Sequence, residues 1–215
     1  MKTILKNTYF WAISKKSGAH YDESLPEEER QSWFAVHRLD FLTSGVQLYA
    51  KAEYKNKLLE SFKKESYIKK YYHFLIEDPT QYIRPTLYEG YMFQRYRASK
   101  KLKWSYERLK GFRSTQESSH SILDTEDESV LSKEIVCEDG QKRQLYSLEL
   151  HTGRRHQIRS FARECYSPIL GDPLYGSEES KNSRMALHCY KIVLPKEIFG
   201  EEFVIDSQEA NHFMV

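Results

Sequence analysis

Cysteine is scarce in this chain and long apolar runs are missing. The three cysteines, Cys137, Cys165 and Cys189, are odd in number and far apart, and no CxxC occurs. That pattern argues against a disulfide framework and a cysteine-based zinc site, and it fits a reducing compartment. The opening Met1-Lys2-Thr3-Ile4-Leu5-Lys6 lacks an apolar core of signal-peptide length, and no segment approaches a membrane span. A cytoplasmic protein with no membrane partner is therefore expected. No internal repeat is visible.

Net charge is also nearly absent, at +2 over 215 residues, but this value averages over opposed blocks. Residues 94–113 carry eight Lys or Arg against Glu107 alone, residues 51–70 carry seven Lys against three Glu, and residues 153–163 carry four Arg and no acid. Acidic material stands apart, in the run Asp22 to Glu29 and in the stretch 114–132, which has six Ser and five acids. Any one basic block reads as a solvated helix face. Three of them flanking the motifs described below point to a polyanion groove. Aromatics are plentiful, with 16 Tyr, 11 Phe and 3 Trp. Most of these should be core, and some can line a stacking surface because Tyr keeps a polar tip on an apolar body.

Periodicity predicts a strand over Ile4–Ser14 that ends in the turn Lys15-Lys16-Ser17-Gly18. A polar loop or short exposed helix follows over 21–32, then a buried strand over Trp33–Leu39. Gly45–Lys51 reads as a strand with Val46, Leu48 and Ala50 on one face. Ala52–Glu65 reads as an amphipathic helix with Leu58, Leu59 and Phe62 on its apolar side. Ile68–Glu77 is a strand showing Tyr72, Phe74 and Ile76 on one side, closed by Pro79. The stretch 114–132 reads as a mobile loop. Leu145–Thr152 is a strand with Tyr146, Leu148 and Leu150 buried. His156–Cys165 is helical through Ile158, Phe161, Ala162 and Cys165, and places Arg155, Arg159 and Arg163 on another face. Pro168–Gly176 is a turn-rich loop, and Met185–Pro195 is a final strand. Strands outnumber helices, so the expected fold is α+β, with a mixed, mostly antiparallel sheet and flanking helices.

Two strings carry the chemistry. The first is His37-Arg38-Leu39-Asp40 followed by Thr43-Ser44-Gly45, and the second is Thr152-Gly153-Arg154-Arg155-His156-Gln157-Ile158-Arg159. One offers a carboxylate and the other offers cations. A carboxylate held beside a guanidinium stays ionised and fixed in direction, as suits a nucleophile or an electrostatic stabiliser. These strings resemble the HRLD-x-x-TSG and TGR-x-HQ-[IL]-R signatures of the RluA-like RNA pseudouridine synthases. Lys70-Tyr71-Tyr72 resembles that family's K-x-Y element. Pro168-Ile169-Leu170-Gly171-Asp172 with Leu174-Tyr175-Gly176 resembles its P-[IL]-L-G-D-x-x-Y-G loop, and Leu187-His188 with Pro195 its closing strand. The resemblance runs from about residue 4 to 195, with the motifs in the family's order. The chain departs from the pattern at Lys16, where the family has Pro, at Ser160 and Phe161, which stand for an aliphatic residue and His, at Ser167, which stands for His, and across 94–134.

The resemblance implies one catalytic domain over 1–215, with 94–134 as an insertion, no separate N-terminal RNA-binding domain, and a monomer. It implies an enzyme that breaks the N1–C1′ bond of a uridine, turns the base and joins C5 to C1′, without metal or cofactor. Asp40 is then the catalytic carboxylate, ionised without help because a free Asp has a pKa of about 3.9. It attacks C1′ or removes a ribose proton; both routes stay open. Arg159 is its cationic partner. Tyr72 stacks on the target uracil and aids proton transfer at C5, and Arg38 fills the gap left by the extruded nucleotide. His37, Arg154, His156 and Gln157 are expected to bind substrate. The target must leave its stack at a cost of roughly a few kcal/mol, so irregular regions of rRNA or tRNA are the natural substrates.

Other readings are weaker. Asp40 alone would be a turn acid or a helix cap, and Tyr72 alone a core tyrosine. His37, His151 and His156 match no common zinc spacing, so no metal is expected. A kinase catalytic loop puts Asp directly after Arg, and no glycine-rich loop or Asp-Phe-Gly accompanies this one. The remaining alternative is a non-catalytic RNA-binding module on the same fold.

Overall fold

The computed structural model describes residues 2–64, 67–77, 89–94, 103–105, 113–114, 120–121, 132–136, 142–150, 152–176 and 184–207. The chain forms two compact units: Met1–Tyr72 together with Leu187–His212, and His73–Ala186 together with Phe213–Val215. The architecture is a mixed α+β fold with a largely antiparallel sheet flanked by helices, as the spacing of apolar residues leads one to expect.

The first unit opens with β1 (Lys2–Lys6) and β2 (Phe10–Lys15), which pair antiparallel. Here the single strand expected over Ile4–Ser14 is a hairpin. Asn7 accounts for the difference, because its Oδ1 accepts the backbone N–H groups of Tyr9 and Phe10, both at 2.9 Å, and turns the chain. After a 3-10 turn at Glu27–Glu29 come β3 (Trp33–Ala35) and β4 (Ser44–Lys51). The strand expected through Leu39 thus stops at Ala35, and 36–43 forms the loop that carries Asp40.

Strand β4 is buried on both faces from Ser44 to Ala50, not on the Val46–Leu48–Ala50 face alone. Tyr49 packs in a buried cluster with Trp11, Ile13, Leu25 and Trp33. The amphipathic helix α1 (Ala52–Lys63) follows, burying Leu58 and leaving most of its lysines exposed. Strand β5 (Lys69–Leu75) begins in this unit and ends in the other.

The second unit holds β6 (Glu89–Gln94), β7 (Lys103–Ser105), β8 (Arg113–Ser114) and β9 (His120–Ser121), the last three pairing with β6. Ser114, residues 120–121 and Ser132, which pairs with Tyr146, therefore belong to ladders, whereas a loop is expected throughout 114–132. The rest of that loop, Pro79, and most of the basic stretch 94–113 lie outside the described residues. Strands β10 (Ser132–Val136) and β11 (Lys142–Glu149) form an antiparallel hairpin, and Phe74 stacks on Tyr146 at 5.2 Å. Helix α2 (Gln157–Cys165) buries Ile158, Phe161, Ala162 and Cys165.

The chain then returns to the first unit with β12 (Leu187–Leu194), α3 (Lys196–Phe199) and β13 (Phe203–Asp206). Strand β12 is not the last: β13 pairs antiparallel with it. In this unit β1, β2, β4 and β12 are successive neighbours, and β12 runs parallel to β4 through His188↔Ser44 and Cys189↔Gly45.

Candidate active site

Asp40 is half-buried in a loop held from several sides. Its carbonyl accepts the Thr43 N–H at 3.0 Å, closing a tight turn. Below the loop lies Gln47, a fully buried polar side chain in the middle of β4. Its Oε1 accepts the Leu39 N–H at 3.3 Å, and its Nε2 donates to the His37 carbonyl at 2.8 Å. The turn after β2 holds the far side: Gly18 N–H donates to the Phe41 carbonyl at 3.0 Å and Ser17 Oγ to the Leu42 carbonyl at 2.7 Å. Lys15 Nζ donates to the carbonyls of Lys16, Ala19 and Phe41 at 3.1, 2.8 and 3.0 Å.

The charges in this unit bear on one another. Lys15 is buried, which lowers its pKa from 10.5 to about 8, while the Asp40 carboxylate pulls the other way. Tyr72 is buried on β5, and burial pushes its phenol well above the usual value; the Cys189 thiol and the Asp40 carboxylate push it further. Its hydroxyl donates to Cys189, whose own thiol is pushed up to about 12 by burial. Tyr72 is therefore a neutral phenol at physiological pH, with its hydroxyl engaged.

Gly45 of the first string explains itself here. Its φ is +114°, and a Cβ there would lie 2.1 Å from the Cys189 carbonyl oxygen, so only glycine lets β12 approach β4. One residue away, Ser44 Oγ meets His188 Nδ1 at 2.9 Å, and His188 Nε2 meets Ser207 Oγ at 3.0 Å, all three side chains buried.

His37 sits on the near side of the loop. Its Nε2 accepts the Leu48 N–H at 3.1 Å, and its ring stacks on Phe62 at 4.9 Å. Burial, then the nearby Lys70 ammonium, lowers its pKa from 6.5 to about 3. Arg38 points the other way in exposure, lying open to solvent.

The second string lies in the other unit. His156 adopts a left-handed conformation (φ 56°, ψ 20°) that starts α2 at Gln157. Arg155 is thus ahead of the helix, and Arg159 is buried while Arg155 and Arg163 are exposed, so the shared arginine face expected over 155–163 does not form. Arg159 donates Nε to Asp172 Oδ2 and Nη2 to Oδ1, both at 2.7 Å. Asp172, fully buried, also accepts the N–H groups of Leu174 and Tyr175 at 2.9 and 3.0 Å. A bidentate pair with extra backbone donors fixes the plane of the guanidinium.

Tyr175 flanks this pair. Its ring lies 5.3 Å from the Arg159 guanidinium carbon, and its hydroxyl meets His156 Nδ1 at 3.3 Å. Gln157 turns inward: its Oε1 accepts from Thr152 Oγ1 at 2.8 Å and from the Arg154 N–H at 3.0 Å. Its Nε2 is buried and finds no acceptor among the described residues.

The structure thus gathers Asp40, Tyr72 and His37 in one unit, and Arg154, His156, Gln157 and Arg159 in the other. Sequence reasoning overlooked Lys15, Cys189 and Asp172. Lys15 and Asp172 stood within quoted motifs, and an ionisable residue in a predicted strand or a tight loop was the available signal. Nothing marked Cys189 before β12 was placed against β4. His151 lies outside the described residues. Among the described residues, no group of three or more His, Cys, Asp or Glu could hold a metal ion, and no helix is long and apolar enough to cross a membrane.

Comparison with known proteins gives this geometry its context. A protein from Helicobacter pylori named "Uncharacterized RNA pseudouridine synthase" is 28% identical over 222 residues, covering 94% of this chain and 80% of that one. The "Ribosomal large subunit pseudouridine synthase C" of Rickettsia prowazekii is 31% identical over 183 residues, covering 83% of this chain. This chain spans only 54% of that relative's length. Among solved structures, "Human RNA Pseudouridylate Synthase Domain Containing 1" superposes with a TM-score of 0.70 at 18% identity, over 98% of this chain and 84% of that one, a likeness of fold. The family model described as RNA pseudouridylate synthase matches residues 7–164, the span that holds the Asp40 loop, the K-x-Y strand and most of α2, and on that match the chain belongs to the RluA-type RNA pseudouridylate synthase family.

Proposed function

We propose that this protein converts a uridine of structured rRNA or tRNA to pseudouridine, with Asp40 as the catalytic carboxylate. The observation that carries the reading is the Asp40 loop itself, which lies inside the matched family span and presents a half-buried acid on a backbone pinned by Gln47, Ser17 and Gly18. A half-buried carboxylate on a loop whose backbone is held from both sides is poised to act at C1′ of a nucleotide brought to it. The N1–C1′ bond breaks, the uracil turns, C5 bonds to C1′, the C5 proton leaves to solvent, and N1 takes up a proton in its place.

Tyr72 offers its ring face to the uracil. Its hydroxyl is neutral and engaged by Cys189, so the stacking role is better supported than proton transfer at C5. Arg159 is the proposed cationic partner of Asp40, with its plane preset by Asp172. Exposed Arg38 takes the space of the flipped base. Arg154, His156 and the buried amide of Gln157, whose Nε2 lacks an acceptor among the described residues, are proposed to contact RNA, as is His37. The lysines of α1 supply phosphate contacts, which position RNA without reading its sequence. We take the acting species to be a cytoplasmic monomer.

Uracil-C5 tritiated RNA tests the reading. Wild type should release tritium from total rRNA or tRNA, and Asp40→Asn should reduce release to background while keeping RNA affinity. Tight binding without release from any cellular RNA would favour the non-catalytic binding module instead.

A further inference from the structure

We propose that the exposed ring of Phe41, backed by His20, is a stacking platform for an RNA base that flanks the target uridine. The inference rests on the reading of Asp40 as the acid that acts on that uridine. Phe41 directly follows Asp40 and is 46% exposed. Among the described residues, Val204 is the only other large apolar side chain left so open. The Thr43 N–H bond to the Asp40 carbonyl makes Phe41 and Leu42 the two central residues of a tight turn, so Phe41 stands at its corner.

The fold does not call for an aromatic side chain at this corner. What anchors residue 41 is its carbonyl, which accepts the Gly18 N–H and the Lys15 ammonium, both at 3.0 Å. Any residue supplies that carbonyl. His20 tilts its ring against Phe41 at 45°, with centroids 4.7 Å apart. His20 is itself exposed and is held by its own carbonyl, which accepts the Glu23 N–H and the Ser24 hydroxyl. The pair therefore fixes the Phe41 ring and leaves much of it facing solvent.

A single exposed apolar side chain is ordinary on a protein surface, and Val204 is one. Phe41 differs in its company. It adjoins the acid, and two exposed cations belong to the same two turns: Arg38, two residues before Asp40, and Lys16, beside the Gly18 turn that holds the Phe41 carbonyl. An aromatic face among cations suits one nucleic-acid strand, the ring taking a base and the cations its phosphates. A uridine that leaves its stack strips a stacking partner from its neighbours. Tyr72 is buried and is proposed for the uracil itself, whereas Phe41 lies in solvent and suits a base that stays outside.

Binding of total tRNA and total rRNA, beside a fully paired RNA duplex, reads the consequence. Phe41→Leu keeps an apolar side chain and loses the aromatic face, and Phe41→Trp keeps such a face. Phe41→Leu should weaken binding of the cellular RNAs about fivefold or more, the scale of one lost base–aromatic stack, and Phe41→Trp should stay within about twofold of wild type. The duplex offers no free base face, so neither substitution should change its binding. Wild-type affinity for cellular RNA in Phe41→Leu, an equal loss in Phe41→Trp, or an equal loss on the duplex overturns the proposal. Ultraviolet crosslinking of the wild type to the same RNAs needs no variant to fold. A nucleotide adduct is expected on Phe41, and adducts confined to other residues overturn the platform. If Phe41 is crosslinked and Phe41→Leu loses affinity but no RNA yields tritium, the platform stands and the assignment of the reaction falls. If tritium is released with neither adduct nor lost affinity at Phe41, the platform falls alone.

Discussion

His37 shows how burial changes a residue's role. Free histidine titrates near 6.5, but here the ring is enclosed, accepts a backbone N–H and titrates at about 3. The folded pKa lies below the unfolded one, so the unfolded chain binds the extra proton first. Stability from this group is fully present above about 6.5 and is lost as pH falls toward 3. The melting temperature of wild type should drop faster between pH 6.5 and 4 than that of His37→Gln, which keeps an acceptor without a proton to gain. Asp172 is a different case, a buried carboxylate matched by the Arg159 guanidinium and two backbone donors. Asp172→Asn should destabilise the protein by about 3–5 kcal/mol, because it leaves a buried guanidinium unmatched; urea unfolding would measure this. Asp40 and Arg159 could be picked out by chemical type and motif. Lys15 and Asp172 carried the same kinds of charge, but only their burial reveals what they do.

Strands β4 and β12 are where distant parts of the chain become one element. The register His188↔Ser44 and Cys189↔Gly45 puts the Thr43-Ser44-Gly45 string against a strand that begins at Leu187. Gly45→Ala would drive a methyl into the Cys189 backbone, and overpacking of this kind costs about 1–3 kcal/mol. Because Cys189 also receives the Tyr72 hydroxyl, the variant should perturb the Tyr72 ring resonances as well as lower the unfolding midpoint; an unchanged Tyr72 environment would break this link. Element type and approximate position were legible for α1, α2, β4, β5, β11 and β12, whose periodicity is local. The hairpin at Asn7, the early stop of β3 and the extra strand β13 were not. A side-chain turn leaves only one polar residue as its mark, and β13 alternates too briefly to stand out.

At the scale of the whole molecule, composition pointed to a polyanion partner, and membership of an RNA-modifying family agrees with it. The order of the motifs along the chain, with their residue types, was enough to determine the family and the α+β class by itself, because signatures and periodicity are properties of neighbours in sequence. Tertiary structure decided what those neighbours do. It turned Arg159 inward onto Asp172, and set Lys15 behind the Asp40 loop. It brought Cys189 to both Gly45 and Tyr72. Each of these depends on segments meeting that lie far apart in the chain, and on burial, which alone makes a charge costly enough to need its partner.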